Sequence, residues 1–204
     1  MRTILTKAQW EKLRRQSELA VLDEIGLPDV LLKYQQDVVG LLDSTALTPV
    51  LFVEKSRRIG LTWGLGAYAA LRAGRAREAG GMDVMYISYS QEMTREFIDA
   101  VAMWARAFNQ AALAVDAFLF DDSDQEGERS IQAFRIRFAS GFEVVGLSSA
   151  PRTLRGKQGV VIIDEAAFVD SLKELLKAAL AFLMWGGQVV VCSTHNGTEN
   201  EFNV

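Results

Sequence analysis

The order of predicted elements indicates an α/β fold in which a mainly parallel sheet carries helices on both faces. Residues 50–53, 84–87 and 160–163 are apolar runs of strand length without polar alternation, as expected for strands buried on both faces of a parallel sheet. Helix-compatible segments separate these runs, and such alternation favours parallel strands joined by crossover helices.

The individual elements follow from local patterns. Residues 6–25 predict a helix that ends before Gly26 and Pro28, and a second helix spans 28–43. Alternating apolar residues on either side of the turn 139–141 predict a hairpin. In chain order, the remaining predictions are strand 50–53, helix 62–73, strand 84–88, helix 90–115, hairpin strands 131–138 and 142–147, strand 160–163, helix 171–185 and strand 188–193.

The segment between the first strand and its helix resembles a phosphate-binding loop with a displaced lysine. It reads Lys55, Ser56, Arg57, Arg58, Ile59, Gly60, Leu61, Thr62. In the template G-x-x-x-x-G-K-[ST], backbone N–H groups surround the phosphates. Gly60 and Thr62 match the second glycine and the hydroxyl, whereas Leu61 replaces the lysine and Lys55 stands at the first glycine. A basic surface turn is the alternative explanation of this octet.

Two adjacent carboxylates, Asp164 and Glu165, end the strand at 160–163. In α/β sheets, ligands bind at the carboxyl edge of the strands, where these side chains would lie. An aspartate in this position of P-loop enzymes helps to hold Mg²⁺, and a neighbouring glutamate can deprotonate an attacking water. The alternative is that both acids simply favour the N-terminus of the next helix.

Composition excludes several other classes of protein. Half of the 204 residues are hydrophobic and a quarter are charged, as in a globular protein, and the net charge of −4 argues against a chain coated in nucleic acid. Cys192 and His195 are single representatives of their types, which excludes an intrachain disulfide and argues against a zinc site. We find neither a signal-peptide pattern nor an apolar run of about 20 residues, so a membrane partner is not expected.

With these residues placed, the chain resembles the ATPase domain of a tailed-phage terminase large subunit, in the version found in Mu-like phages and prophages. Four motifs in the family's order carry the resemblance: Tyr34-Gln35, the loop 55–62, the strand with its acids at 160–165, and Cys192-Ser193-Thr194. Several terminases share the displaced lysine. The resemblance runs from about residue 32 to 202 and implies an additional-strand P-loop ATPase domain at 31–204 and a nuclease domain beyond this chain. The helical pattern before it predicts a separate helical arm at 1–30.

The family also implies roles for matching residues. Tyr34 and Gln35 would contact adenine, and Lys55 would reach the β- and γ-phosphates. Thr62 and Asp164 would hold Mg²⁺, and Glu165 would activate water.

Two further groups receive roles from the resemblance. Ser193 and Thr194 would couple hydrolysis to motion, with Asn196 assisting. Arg155 would act as an arginine finger in a neighbouring subunit, with Arg152 as its rival.

As a whole, the resemblance implies a Mg·ATP-driven motor that moves double-stranded DNA into a procapsid in the cytoplasm of a bacterial host. Its expected partners are the portal protein, the terminase small subunit and copies of itself in a ring. A helicase-type translocase and a degenerate nucleotide-binding scaffold remain as alternatives. A structural DNA-binding module is the weakest alternative, because the chain is acidic and lacks a recognition-helix pattern.

Overall fold

The computed structural model describes residues 31–43, 48–107, 112–121 and 130–203. The predicted helical arm at 1–30 lies outside these ranges. Within them, no helix combines the length and the hydropathy needed to cross a bilayer.

Seven strands form one sheet, and its central part is parallel, as predicted. The strands are β1 (Val50–Glu54), β2 (Val84–Ile87), β3 (Ala112–Asp121), β4 (Ser130–Phe138), β5 (Glu143–Leu147), β6 (Val160–Asp164) and β7 (Gln188–Ser193). Their order is β1-β7-β6-β2-β5-β4-β3. The first five strands of this order are parallel, and β4 and β3 continue the sheet in antiparallel pairing. Because β7 lies between the loop strand β1 and the carboxylate strand β6, the additional-strand arrangement is confirmed.

Helices cover both faces of this sheet. They are α1 (Lys33–Asp43), α2 (Leu61–Gly74), α3 (Gln91–Ala107) and α4 (Leu172–Leu180), and a short 3₁₀ helix (Ala181–Trp185) continues α4. Helices α1, α2 and α3 pack on one face with alternate strand residues such as Tyr86 and Ile162. Helix α4 packs on the other face with Ile87 and Ile163. The residues of β2, β6 and β7 therefore alternate between two apolar cores, which explains their largely apolar sequences. Strand β1, predicted as a core strand, is instead the edge strand, and its Phe52 is exposed.

The predicted helix at 90–115 is wrong at its C-terminal end. Helix α3 ends at Ala107, and residues 112–121 form strand β3 instead. Strand β3 pairs along its length with β4, and these backbone hydrogen bonds join residues that are distant in sequence. The alanine-rich stretch has high helix propensity, and pairing with β4 overrides that local preference. The hairpin of β4 and β5 is confirmed.

Gly159, directly before β6, gives a test of this packing. Its φ is +127°, and an added Cβ would lie 2.1 Å from the carbonyl oxygen of Asp83. Gly156, three positions earlier, also has a positive φ of +73° but has open space around it. We expect Gly156→Ala to cost about 1 kcal/mol of unfolding free energy from backbone strain alone. Gly159→Ala should cost more than about 3 kcal/mol, because strain and overlap add.

Urea unfolding of the two variants measures this difference. Equal losses would show that the close approach of the Asp83 carbonyl to this turn is not needed for the fold.

Candidate functional site

The predicted phosphate loop joins strand β1 to helix α2, in the strand–loop–helix setting that such a motif requires. Gly60 adopts a left-handed conformation with φ +76° at the N-terminus of α2, and Arg58 is also left-handed at φ +55°. The loop therefore turns sharply into a helix of 14 residues, whose first N–H groups have no partner within the helix. Such a terminus favours anions through its N–H groups and its dipole. Ser56, Arg57 and Arg58 are exposed on this loop.

The predicted adenine motif lies against the same loop. Gln35 in α1 is buried; its Nε2 donates to the Gly60 carbonyl at 2.7 Å, and its Oε1 accepts from the Leu32 N–H at 2.9 Å. An added Cβ on Gly60 would lie 3.0 Å from Gln35 Nε2. Gln35 therefore braces the loop backbone, a role that the sequence did not suggest. Contact of Tyr34 and Gln35 with adenine stays a prediction.

Asp164, at the carboxyl end of β6, is fully buried and accepts four hydrogen bonds, three of them from α2, β2 and β7. Its Oδ2 accepts from Thr62 Oγ1 at 2.6 Å and from the Tyr86 hydroxyl at 3.0 Å. Its Oδ1 accepts from the Glu165 N–H at 2.9 Å and from Cys192 Sγ at 3.1 Å. The hydroxyl and the acid predicted to hold a metal are thus direct neighbours.

Lys55 completes the cluster despite its displaced position in the loop. Its Nζ lies 2.5 Å from Glu165 Oε1 and 3.5 Å from Asp164 Oδ1, and its side chain is only 6% exposed. Burial alone would lower the pKa of Lys55, but the carboxylates of Asp164 and Glu165 raise it above its ordinary value. The Lys55 N–H also donates to the Ser193 carbonyl at 3.0 Å. A cation from the start of the loop therefore reaches the acid pair.

Glu165 is held in an uncommon backbone conformation. Its φ of +52° is left-handed, although it is not a glycine, and it precedes a short 3₁₀ helix (Ala166–Phe168). This conformation turns the chain away from β6 and leaves the Glu165 side chain 15% exposed beside Lys55. Backbone strain of this kind is concentrated at functional sites.

The end of β7 supports the segment that follows Glu165. Ser193 Oγ accepts from the Ala167 N–H at 3.1 Å, and Asn196 Nδ2 donates to the Ala167 carbonyl at 3.1 Å. The hydroxyl oxygen of Thr194 is buried without a hydrogen-bond partner among the described residues. Ser193 and Asn196 thus contact the backbone two residues after Glu165, whereas the Thr194 side chain forms no such bond.

A cleft of about 680 Å³ opens beside the loop. Lys55, Thr62 and Glu165 line it on the side of the sheet, and α3 contributes Glu96 and Asp99. The cleft brings together the predicted phosphate, metal and water-activating residues.

Arg155 lies in a different region. Together with Arg152 it is exposed in the segment that crosses from β5 to the amino end of β6. Arg155 lines a second cleft, of about 600 Å³, with Lys177 and Trp185 near α4. None of the loop residues 55–62 lines that cleft. Arg155 therefore does not share the cleft beside its own phosphate loop.

The donor set near Thr62 fits Mg²⁺. This ion prefers oxygen ligands and is bound in nucleotide enzymes by one or two carboxylates together with substrate phosphates. Thr62 Oγ1 and Asp164 Oδ2 supply adjacent oxygens. In the described part of the chain, including this site, no group of three or more His, Cys, Asp or Glu side chains is placed to hold a metal ion, so the oxygens of Thr62 and Asp164 would share the ion with phosphates.

Sequence reasoning missed Tyr86 as a neighbour of Asp164. The available signal was a polar hydroxyl within the apolar strand 84–87. The lateral order of the strands, which places β2 beside β6, was needed to recognise it.

The chain is similar in sequence to two gp28 proteins, one from a prophage and one from a phage. No protein-family model matches the chain. It is 51% identical over 174 residues to the Mu-like prophage FluMu protein gp28 of Haemophilus influenzae, covering 85% of this chain and 32% of that protein. It is 50% identical over 156 residues to the probable terminase, large subunit gp28, of Escherichia phage Mu, covering 76% of this chain and 28% of that protein. The chain thus spans about a third of the length of these relatives.

Solved structures share the fold. A mutant of the Thermus phage P74-26 large terminase ATPase domain superposes with a TM-score of 0.51 at 15% identity, covering 89% of this chain and 70% of that one. The large terminase of bacteriophage HK97 gives a TM-score of 0.53 at 18% identity, covering 88% of this chain and 37% of that one. The chain therefore belongs to the phage terminase large-subunit family, among the Mu-like gp28 proteins, and has the fold of a large-terminase ATPase domain.

Proposed function

We propose that this chain is the ATP-hydrolysing part of a DNA-packaging motor, which moves double-stranded DNA into a procapsid. The observation that carries the proposal is the convergence of Lys55, Thr62, Asp164 and Glu165 at one end of the parallel sheet, beside an open cleft. A phosphate loop, a metal-binding oxygen pair and a general base are the parts that phosphoryl transfer to water requires.

Each residue then has a task in hydrolysis. The N–H groups at the start of α2 bind phosphate oxygens, and Lys55 adds positive charge beside them. Thr62 and Asp164 hold Mg²⁺, which when bound neutralises developing charge on the phosphates. Glu165 orients the attacking water and accepts its proton. Lys55 donates a hydrogen bond to Glu165 in the structure, so the same ammonium group would interact with both the phosphates and the general base.

We extend the proposal to coupling residues and to a ring of copies of this chain. Ser193 and Thr194 lie at the end of β7, next to β6, and transmit the state of the site to the segment after Glu165. Arg155 is exposed away from its own loop, and it inserts into the site of the next subunit in a ring. Double-stranded DNA, the portal protein and the small subunit are the partners of the longer protein, inside the bacterial host.

Replacing the general base should separate binding from turnover. We expect Glu165→Gln to keep ATP binding and to lower Mg²⁺-dependent phosphate release by about 10²- to 10⁴-fold, because an amide cannot accept the proton. Glu174→Gln, an exposed glutamate on α4, is the matched control and should behave like the unaltered chain. Retained turnover in Glu165→Gln would remove the assignment of the base. Tight ATP binding without turnover in the unaltered chain, even on a procapsid, would favour a degenerate scaffold.

The displaced lysine is tested by comparing two lysines. Lys55→Ala removes a buried cation from the acid pair and should weaken ATP binding or turnover strongly. Lys157→Ala changes a lysine near Arg155 and should have a much smaller effect on a single site. Equal effects of the two substitutions on nucleotide binding would contradict the role of Lys55.

Mixing two inactive variants tests the trans arginine. Arg155→Ala keeps its own site but lacks the finger, which we expect to cost about 10³- to 10⁵-fold in rate. Glu165→Gln keeps the finger but has an inactive site. Mixed oligomers should regain activity, because Glu165→Gln subunits supply Arg155 to intact neighbouring sites.

The mixture is compared with each variant alone and with Arg152→Ala in place of Arg155→Ala. Recovery only with Arg152→Ala would assign the finger to Arg152. ATP hydrolysis by the unaltered chain that is linear in protein concentration, without recovery on mixing, would exclude a shared site.

A further inference from the structure

Tyr86 is a buried tyrosine to which the hydrolysis described above gives no task. It lies in β2, the strand beside β6, and its hydroxyl donates to Asp164 Oδ2 at 3.0 Å. Tyr86 and Asp164 are both fully buried, so water cannot replace this hydrogen bond. The donor and the acid therefore form a fixed pair across two neighbouring strands.

The ring of Tyr86 is itself held in place. It stacks on Phe97 of α3, with ring centroids 3.7 Å apart and an angle of 7° between the planes. Phe97 is also fully buried. The stacked, buried ring therefore keeps the phenol hydroxyl directed at Asp164.

Cys192 holds the other oxygen of the same carboxylate. Its Sγ lies 3.1 Å from Asp164 Oδ1, and it is fully buried in β7, the strand on the opposite side of β6. A thiol S–H is a weak hydrogen-bond donor, and here it donates to the carboxylate oxygen. Asp164 is thus fixed from both sides within the sheet.

We propose that Tyr86 and Cys192 are positioning residues for the metal site, which orient the Asp164 carboxylate beside Thr62, where Thr62 and Asp164 would hold Mg²⁺. This inference rests on the proposed Mg·ATP function. Two donors per oxygen leave the carboxylate little freedom to rotate, and outer partners of this kind typically change metal affinity by about 10- to 100-fold.

A purely structural role is the competing explanation, because any buried hydrogen bond contributes to folding. The chain offers a matched control in Tyr68, which is equally buried in α2 and donates its hydroxyl to Gln188 Oε1. Gln188 begins β7, whereas Asp164 ends β6, so this second bond lies at the opposite edge of the sheet. Tyr68→Phe and Tyr86→Phe each remove one buried phenol hydroxyl and keep the ring.

The readout is the affinity for a fluorescent, non-hydrolysable ATP analogue, measured with Mg²⁺ and with EDTA. The dissociation constant in EDTA divided by that in Mg²⁺ measures how much the metal strengthens binding, and no turnover is needed. We expect Tyr86→Phe to lower this ratio about 10-fold, mainly through weaker binding in Mg²⁺, while binding in EDTA stays close to that of the unaltered chain. Tyr68→Phe should leave the ratio unchanged, although both variants lose stability in urea.

Cys192 provides a second pair of variants if Tyr86→Phe does not fold. Cys192→Ala removes the donor and should lower the ratio, whereas Cys192→Ser keeps a donor and should restore most of it. An unchanged ratio in Tyr86→Phe or Cys192→Ala, or an equal fall in Tyr68→Phe, would overturn the inference and leave the proposed ATPase intact. A ratio of one in the unaltered chain would instead remove the proposed metal site itself.

Discussion

Burial of the Asp164 carboxylate is the constraint on which the remaining structure depends. A buried charge is costly unless it is hydrogen-bonded and paired, and a hydrogen bond to a charged group contributes roughly 1.5–3 kcal/mol. Asp164 meets this requirement with Thr62, Tyr86 and Cys192 as donors and with Lys55 as a nearby cation. These partners come from α2, from the two neighbouring strands and from the loop. Satisfying one carboxylate therefore fixes the relative positions of the elements that form the site.

The displaced lysine is explained by the same geometry. Strand β1 is separated from β6 by β7, so a side chain at the start of the loop must cross β7 to reach the acids. Lys55 directly follows β1, and its backbone N–H donates to the Ser193 carbonyl. From this position its ammonium group reaches Asp164 and Glu165. Leu61, at the usual lysine position, is instead buried in the core under α2. The apolar residue stabilises the helix start, and the charge comes from the opposite end of the loop.

Local patterns predicted the parts of the fold that depend on local chemistry. The strand at 160–163 was recognisable because strands covered on both faces are continuously apolar, and the acids at its end followed from their place at a strand end. The strand at 50–53 was found from a similar apolar run, although it lies at the edge of the sheet with Phe52 exposed. Strand β3 was mistaken for helix because its identity depends on pairing with β4. The contact of Tyr86 with Asp164 depends on strand order, and the bond from Gln35 to Gly60 depends on how α1 packs. Neither relation is encoded in a local motif.

The account is tested most directly by the position of a bound metal. A crystal structure of the chain with Mn²⁺ and a non-hydrolysable ATP analogue would locate the ion by its anomalous scattering. We predict one peak next to Thr62 Oγ1 and facing Asp164 Oδ2, with the phosphates at the N-terminus of α2 and Glu165 beside the γ-phosphate. A metal bound away from this pair, or phosphates that do not contact residues 55–62, would contradict the central claim that Asp164 organises a nucleotide site.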